Sequence, residues 1–353
     1  MAEGLALRRP ATDLNRCANI YENTVPIPAG FKSTRKMREQ PITYFSNFSL
    51  WEVFFLVKNI GTQINNLIET GFIGGSGVYE LEGLKGVETI EIETPFGKPS
   101  SAVTIGSLGN IKMAFIPRHG PEHSLLPTEV PYRANIYALK TLGVERVVSV
   151  SAVGSLNEKI KPLEVVVPDQ LIDRTKAREN SFFGDGLVAH ISFANPFCQN
   201  LSKMIASFFK DLEIEGHDSG TYVAIEGPQF STKAESNLYR MWGCDIIGMT
   251  AIPEAKLARE AEMCYATIAL VTDYDCWKDD QENVTANMVI NNLKQNVKTS
   301  KKLINKIAEN IDSITKECEC HESLRESLVT QRILNNQETA KKLNLLLKKY
   351  IPG

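Results

Sequence analysis

The sequence predicts an α/β fold: one central β-sheet with helices on its faces, followed by a helical C-terminal tail. Three observations carry that expectation. Apolar strand-like runs alternate with helical patterns from residue 71 to residue 271, as expected for helices laid on a sheet. Polar segments follow those runs directly, at Gly74-Gly75-Ser76-Gly77, Arg118-His119-Gly120, Ser151-Ala152, Thr250 and Asp273-Tyr274-Asp275. Ligands of open α/β sheets gather outside the carboxyl ends of strands, so five such segments point to one shared pocket. The composition, 43% hydrophobic and 23% charged over 353 residues, is enough to bury a sizeable core.

Residues 1–66 read as a weakly ordered extension. Arg8, Arg9, Arg16, Lys32, Arg35, Lys36 and Arg38 outnumber the acids there, and Pro10, Pro26, Pro28 and Pro41 interrupt any long element. Glu3, Asp13, Glu22 and Glu39 make it a poor match to a mitochondrial presequence. A helix is expected around residues 51–60. Residues 71–73 read as a short strand, and 101–105 and 111–117 as two strands joined through Gly109-Asn110. Tyr132, Ile136 and Leu139 have helical spacing within 131–142, with Gly143 as the stop. Strand 144–150 is expected to lead into a small-residue loop, Ser151-Ala152-Val153-Gly154-Ser155. A strand is expected over 164–172, then a helix opened by Asn195-Pro196 and running to about residue 212. Strand 221–225 follows, and Thr232 with Glu235 forms a capping-box pattern for a helix to residue 242. Strand 244–249, a helix after Pro253 and strand 263–271 complete the series. The expected division is 1–66 as extension, 67–312 as the α/β domain and 313–353 as the helical tail.

Lys and Arg total 39 against 42 Asp and Glu, a formal charge of −3, so there is no global basic field and nucleic acid is not expected as a partner. The apolar stretch Phe54-Phe55-Leu56-Val57 falls far short of the ~20 residues of a membrane helix. The first residues lack the pattern of a secretory signal. Seven widely spread cysteines read as reduced thiols of a cytoplasmic protein, with the nucleus open as a second compartment.

The polar segments offer specific chemistry. Gly74-Gly75-Ser76-Gly77 can present backbone amides and a hydroxyl to an anion, but it also fits a plain turn. Glu80 breaks the dinucleotide fingerprint, and no Gly-Lys-Ser/Thr follows to make a P-loop. Arg118 supplies a planar fork suited to phosphate oxygens. His119 and His123 share a face, yet no third metal ligand stands near, and no metal is expected. Ser151 and the Ala152 amide are further anion donors. Thr250 can cap the following helix or donate to a phosphate. Asp273 and Asp275 fall on one side of an extended segment, where one carboxyl of a buried pair can serve as proton donor. Cys318-Glu319-Cys320-His321 reads as a thiol pair or redox-sensitive site, because zinc needs four ligands.

Taken together, the motifs resemble the 5′-methylthioadenosine phosphorylases, within the trimeric purine nucleoside phosphorylase superfamily. The matching strings are Ile73-Gly-Gly-Ser-Gly77, Pro117-Arg-His-Gly120, Ser151-Ala-Val-Gly-Ser-Leu156, Val167-Pro-Asp-Gln170 and Asp173-Arg-Thr175. They continue with Ile225-Glu-Gly-Pro-Gln-Phe-Ser231, Gly248-Met-Thr250, Pro253-Glu254 and Thr272-Asp-Tyr-Asp-Cys-Trp277, so the resemblance covers residues 68–350. It implies a single phosphorylase-type domain with a mixed sheet, and phosphorolysis of methylthioadenosine to adenine and 5-methylthioribose 1-phosphate. Inorganic phosphate would be a co-substrate, with no cofactor.

The resemblance assigns phosphate contacts to Ser76, Arg118, His119, Ser151, Ala152 and Thr250. Met249 lies under the ribose, Asp273, Tyr274 and Asp275 take the base, and Phe230 and Ser231 form the base loop. Ala286, Val289 and Ile290 line the methylthio pocket, although their helical spacing equally fits core packing. His190 would come from a neighbouring subunit of a trimer or hexamer. Asp273, Thr250 and Arg118 are the expected catalytic residues. In some longer members of the family the Cys-x-Cys pair of the tail is a disulfide. The rival readings are a phosphorylase of 6-oxopurine nucleosides or methylthioinosine, and a catalytically silent scaffold. Thr70, where the family usually has an apolar residue, raises the expectation of a first strand truncated at its N-terminal edge or of a differently spliced start, and residues 1–66 have no family counterpart.

Overall fold

The computed structural model describes residues 68–75, 81–278, 286–313, 318–330 and 337–351. The extension and its expected helix at 51–60 lie outside the described residues. Among the described residues eleven strands form one mixed sheet: β1 (Thr70–Gly74), β2 (Lys85–Ile90), β3 (Val103–Leu108), β4 (Ile111–Pro117), β5 (Arg146–Ser155), β6 (Val165–Val166), β7 (Gln170–Arg174), β8 (Gly216–His217), β9 (Thr221–Ile225), β10 (Ile246–Gly248) and β11 (Cys264–Asp273). The main path runs β2-β3-β4-β1-β5-β10-β9-β7, with β11 joining β5 to β6 and β6 joining β8. The helices are α1 (Tyr132–Thr141), α2 (Gln199–Asp211), α3 (Lys233–Met241), α4 (Ala251–Glu260), α5 (Ala286–Asn310), α6 (Gln337–Lys342) and α7 (Asn344–Leu347). None of the described helices is long and apolar enough to cross a membrane.

The central strand, β5, is the axis of the molecule. β11 runs parallel to it, pairing from Cys264 opposite Arg146 to Asp273 opposite Gly154. On the other edge β1 pairs parallel as far as Ile73 opposite Ser149, and β10 takes over antiparallel at Gly154 and Ser155. That edge therefore changes partner between residues 150 and 153. Two apolar layers cover the sheet: one gathers Ile73, Ile116, Ile136, Val147 and Leu257, the other Phe72, Phe115, Val148, Ile205 and Ile307. Alternating residues of β1 and β5 feed opposite layers, as strand geometry requires. The tail packs on the first layer through Ala340, Leu343, Leu346 and Leu347.

Several local expectations hold. Gly109-Asn110 joins β3 to β4, with Leu108 opposite Ile111. Gly143 ends α1 at φ +88°. Thr232 and Glu235 form the reciprocal capping box of α3.

Others need correction. Residues 151–155 are not a loop but the second half of β5, because β11 continues to pair through Gly154 and β10 pairs with Gly154 and Ser155. The strand expected over 164–172 is two strands, interrupted around Pro168, which has no amide hydrogen for a ladder. The helix expected from Asn195-Pro196 begins at Gln199, since the Cys198 amide is taken by the Tyr265 carbonyl at 2.8 Å. Thr70, the first residue of β1, is buried and pairs with both Met113 and Arg146.

Candidate active site

Arg118 follows β4 directly, and its amide donates to the Gly74 carbonyl at 2.8 Å. Its guanidinium is 2% exposed and faces the fully buried Glu254. Nε donates to Glu254 Oε1 at 2.5 Å and Nη2 to Oε2 at 3.1 Å. Nη2 also reaches Ser149 Oγ at 2.7 Å and the Ile73 carbonyl at 3.1 Å, while Nη1 donates to the Val150 carbonyl at 3.0 Å. Burial alone would lower the Arg118 pKa, but the Glu254 carboxylate outweighs it and holds the group above its ordinary value. Of the five guanidinium hydrogens, these bonds leave one Nη1 hydrogen without an acceptor among the described residues. Arg118 is a rigid cation with one donor to spare.

His119 places Nδ1 2.9 Å from the Leu125 carbonyl. A carbonyl only accepts, so Nδ1 carries the proton and Nε2 is an acceptor in the neutral ring. Burial, then the charge of Arg118, pushes its pKa down to about 4. His123 stacks on it with ring centroids 4.2 Å apart.

Ser151 and Ala152 sit where one edge of β5 changes partner. The Ser151 hydroxyl is buried and unpaired among the described residues. Thr250, at the N-cap of α4, is buried and makes no side-chain cap bond, so the helix leaves its hydroxyl available.

At the far end of β5, Asp273 and Asp275 meet Gly154. Thr272 Oγ1 donates to Asp273 Oδ2 at 2.7 Å, and the Asp275 amide donates to Asp273 Oδ1 at 2.8 Å. Burial raises the pKa of both carboxyls, and the charge of Asp275 adds to the rise at Asp273. A Cβ on Gly154 would lie 2.9 Å from Asp273 Oδ1, so only glycine lets the pair approach the strand. Asn292 and Asn296 of α5 donate to the Thr272 and Val271 carbonyls at 2.6 and 2.9 Å and fix the end of β11. Tyr274 is buried, edge-on to Trp277.

A second arginine joins the remaining loops. Arg178 Nη1 donates to the Met249 carbonyl at 2.5 Å and the Ile252 carbonyl at 2.6 Å, and Nη2 to the Glu226 carbonyl at 2.6 Å. Met249 lies against Gly227, whose φ of +69° turns the 226–231 loop toward it. Phe230 is 46% exposed, and the Ser231 carbonyl accepts from Cys276 Sγ at 3.2 Å.

Val150, which holds Arg118, and Gly154, which abuts the aspartates, are four residues apart on β5, about 13 Å along the strand. Anion donors at one end and a carboxyl pair at the other match the length scale of a phosphate beside a nucleoside. Residues 69–309 match the model of the phosphorylase superfamily. The chain belongs to that family.

Within it, the chain is 50% identical over 301 residues to an S-methyl-5′-thioadenosine phosphorylase of Synechocystis, covering 84% of this chain and 91% of the relative. It is 51% identical over 282 residues to the one from Geobacter sulfurreducens, covering 80% and 98%. A methylthioadenosine phosphorylase crystal structure from an antarctic soil metagenomic library superposes with a TM-score of 0.76 at 47% identity, covering 81% of this chain and all of that one. The Schistosoma mansoni methylthioadenosine phosphorylase, solved with adenine, gives 0.66 at 31%, covering 80% and 98%.

Against this phosphorylase frame, Arg118, His119, Thr250, Asp273 and Asp275 stand at or beside strand ends, and Ser151 lies within β5 where one edge changes partner. Ser76 and the side chains of Ala286, Val289 and Ile290 lie outside the described residues. His190 is exposed, its amide bonded to the Ser327 carbonyl at 2.8 Å. Sequence reasoning missed Glu254, Ser149 and Arg178 as site builders. Glu254 stood inside a matching string, but nothing in its spacing pairs it with an arginine 136 residues away.

Proposed function

We propose that this phosphorylase cleaves 5′-methylthioadenosine with inorganic phosphate, giving adenine and 5-methylthioribose 1-phosphate. The observation that carries the reading is the buried Asp273–Asp275 pair with raised pKa at the end of β11. The 6-amino group of adenine donates hydrogen bonds, so a carboxylate suits it, whereas a 6-oxo group calls for a donor. Asp273 in its acid form protonates N7. The N9–C1′ bond then breaks with its electron pair passing to the base, and a phosphate oxygen forms the new bond to C1′.

Positive charge builds on the ribosyl ring as the bond breaks, and the phosphate dianion beneath it stabilises that charge. The groups that contact phosphate in this reading are Ser76, Arg118, His119, Ser151, the Ala152 amide and Thr250. Because His119 is neutral with Nε2 as an acceptor, it takes a hydrogen bond from the P–OH of monohydrogen phosphate. Met249 supports the ribose, Phe230 and Ser231 close over the base with Tyr274, and Ala286, Val289 and Ile290 receive the methylthio group. His190 completes the pocket of a neighbouring subunit in a trimer or hexamer. The reaction needs no cofactor, and the protein acts in the cytoplasm, the nucleus being a second site.

Purified full-length protein incubated with methylthioadenosine and phosphate tests the reading. Adenine and 5-methylthioribose 1-phosphate should appear together, and only when phosphate is present. Absence of turnover in the folded oligomer would instead indicate a silent scaffold.

A further inference from the structure

Four of the described cysteines converge far from the site above. The Sγ atoms of Cys198, Cys264, Cys318 and Cys320 all lie within 4.8 Å of one another, and three of the four residues are buried. They come from separate places in the chain. Cys198 precedes α2, Cys264 opens β11, and Cys318 and Cys320 flank the start of the short 3-10 helix Glu319–Glu322 in the tail. Cys198 Sγ and Cys318 Sγ are 3.5 Å apart. We propose that these four residues form a structural tetrathiolate site for a zinc ion.

The geometry favours a metal over cross-links. The cluster offers four sulfurs within 4.8 Å of one another, the number and proximity a tetrahedral ion requires, whereas a single Cys318–Cys320 disulfide would engage only two of them. A tetrahedral zinc with Zn–S bonds of about 2.3 Å has S···S edges of about 3.8 Å, so sulfurs already within reach of one another need only small shifts. An all-sulfur tetrahedral set selects zinc among redox-inert divalent ions. The tight Cys-x-Cys spacing is no obstacle, because the extended Cys318 and the helical Cys320 already bring their sulfurs to the other two.

The surroundings suit the charge that results. Binding follows Zn²⁺ + 4 Cys–SH → Zn(S-Cys)₄²⁻ + 4 H⁺, a net change that needs nearby positive groups. Cys198 stands at the N-terminal end of the 13-residue α2, where the helix dipole favours a thiolate. His321 Nδ1 donates to the Glu262 carbonyl at 3.2 Å, which fixes the ring beside the cluster, 3.7 Å from Cys264 Sγ. Lys349 donates to the His321 carbonyl at 2.8 Å and to Glu262 Oε2 at 2.9 Å. The ion would staple the tail to the opening of β11, at the opposite end of that ten-residue strand from Asp273, about 30 Å away. Its role is thus structural.

The test uses full-length protein without a metal-binding tag, purified in reductant and without chelator. Elemental analysis should find one zinc per chain. The double variant Cys318→Ser/Cys320→Ser should lose it, whereas Cys244→Ser should keep it. Because the double variant can fail to fold, wild-type protein should also be produced in cobalt-supplemented medium. Tetrahedral thiolate cobalt would show intense visible bands and a sulfur-to-metal charge-transfer band. Zinc-free wild-type protein, whether its four sulfurs are then thiols or disulfides, would overturn the proposal. So would iron in place of zinc, or full zinc content in the double variant.

Discussion

The Arg118 guanidinium is gripped side-on by the Glu254 carboxylate, Nε to Oε1 at 2.5 Å and Nη2 to Oε2 at 3.1 Å, with both residues out of water. The carboxylate does two things. It keeps a buried cation charged, and it occupies one side of the fork so that the remaining Nη1 hydrogen has a single direction. In the proposed reading, the phosphate end of the pocket depends on Glu254 through its hold on Arg118.

Glu254→Gln should both destabilise the fold and weaken phosphate binding. The amide cannot neutralise Arg118, and removing one partner of a buried ion pair costs about 3–5 kcal/mol. Urea unfolding should show the loss, and the KM for phosphate should rise by roughly tenfold or more, equivalent to about 1.4 kcal/mol. An unchanged phosphate KM in folded protein would separate Glu254 from the pocket.

Asp273→Asn should slow adenine release by about 10²-fold or more, the usual weight of a positioned proton donor. The amide has nearly the same shape but no acidic proton. Rapid-quench measurement of adenine formation checks this, and a near-normal rate would remove Asp273 from the proton-donor role. Inosine cleavage, which benefits from an amide opposite its 6-oxo group, should suffer less.

Gly154→Ala tests the contact between β5 and the aspartates. Its Cβ would come within 2.9 Å of Asp273 Oδ1, which Thr272 and the Asp275 amide hold in place. The KM for methylthioadenosine should rise while the KM for phosphate stays near wild type, because the Arg118 end of the strand is untouched.

His119 makes a pH prediction. Its folded pKa is about 4, below the ordinary 6.5, so the unfolded chain takes up its proton first as the pH falls. The stability it lends is present above about 6.5 and is lost progressively toward pH 4. His119→Asn should therefore lose less thermal stability than wild type between pH 6.5 and 4. Parallel melting curves across that window would contradict the assignment.

Much of this was legible in the sequence, for physical reasons that differ by residue. The order of strands and helices follows from periodicity and from caps such as Thr232 with Glu235, which act over a few residues. The nearness of Asp273 and Asp275 was legible from their two-residue spacing, although β11 ends at Asp273 and Asp275 takes φ +51°, so the expected extended segment does not reach it. The second half of β5 was misread as a loop because Ser151, Ala152 and Gly154 are small, a pattern shared by turns and by strands on which something must approach closely. Only the pairing with β11 and the contact of Gly154 with Asp273 separate the two. Glu254, Arg178 and the meeting of Cys198 and Cys264 with the tail depend on long-range folding. No local pattern encodes those partners.

The most direct test of the central claim compares kcat/KM for phosphate-dependent adenine release from methylthioadenosine with that for hypoxanthine release from inosine, in the same preparation of full-length protein. The carboxyl pair at Asp273 and Asp275 predicts strong preference for methylthioadenosine. Faster turnover of inosine would contradict it.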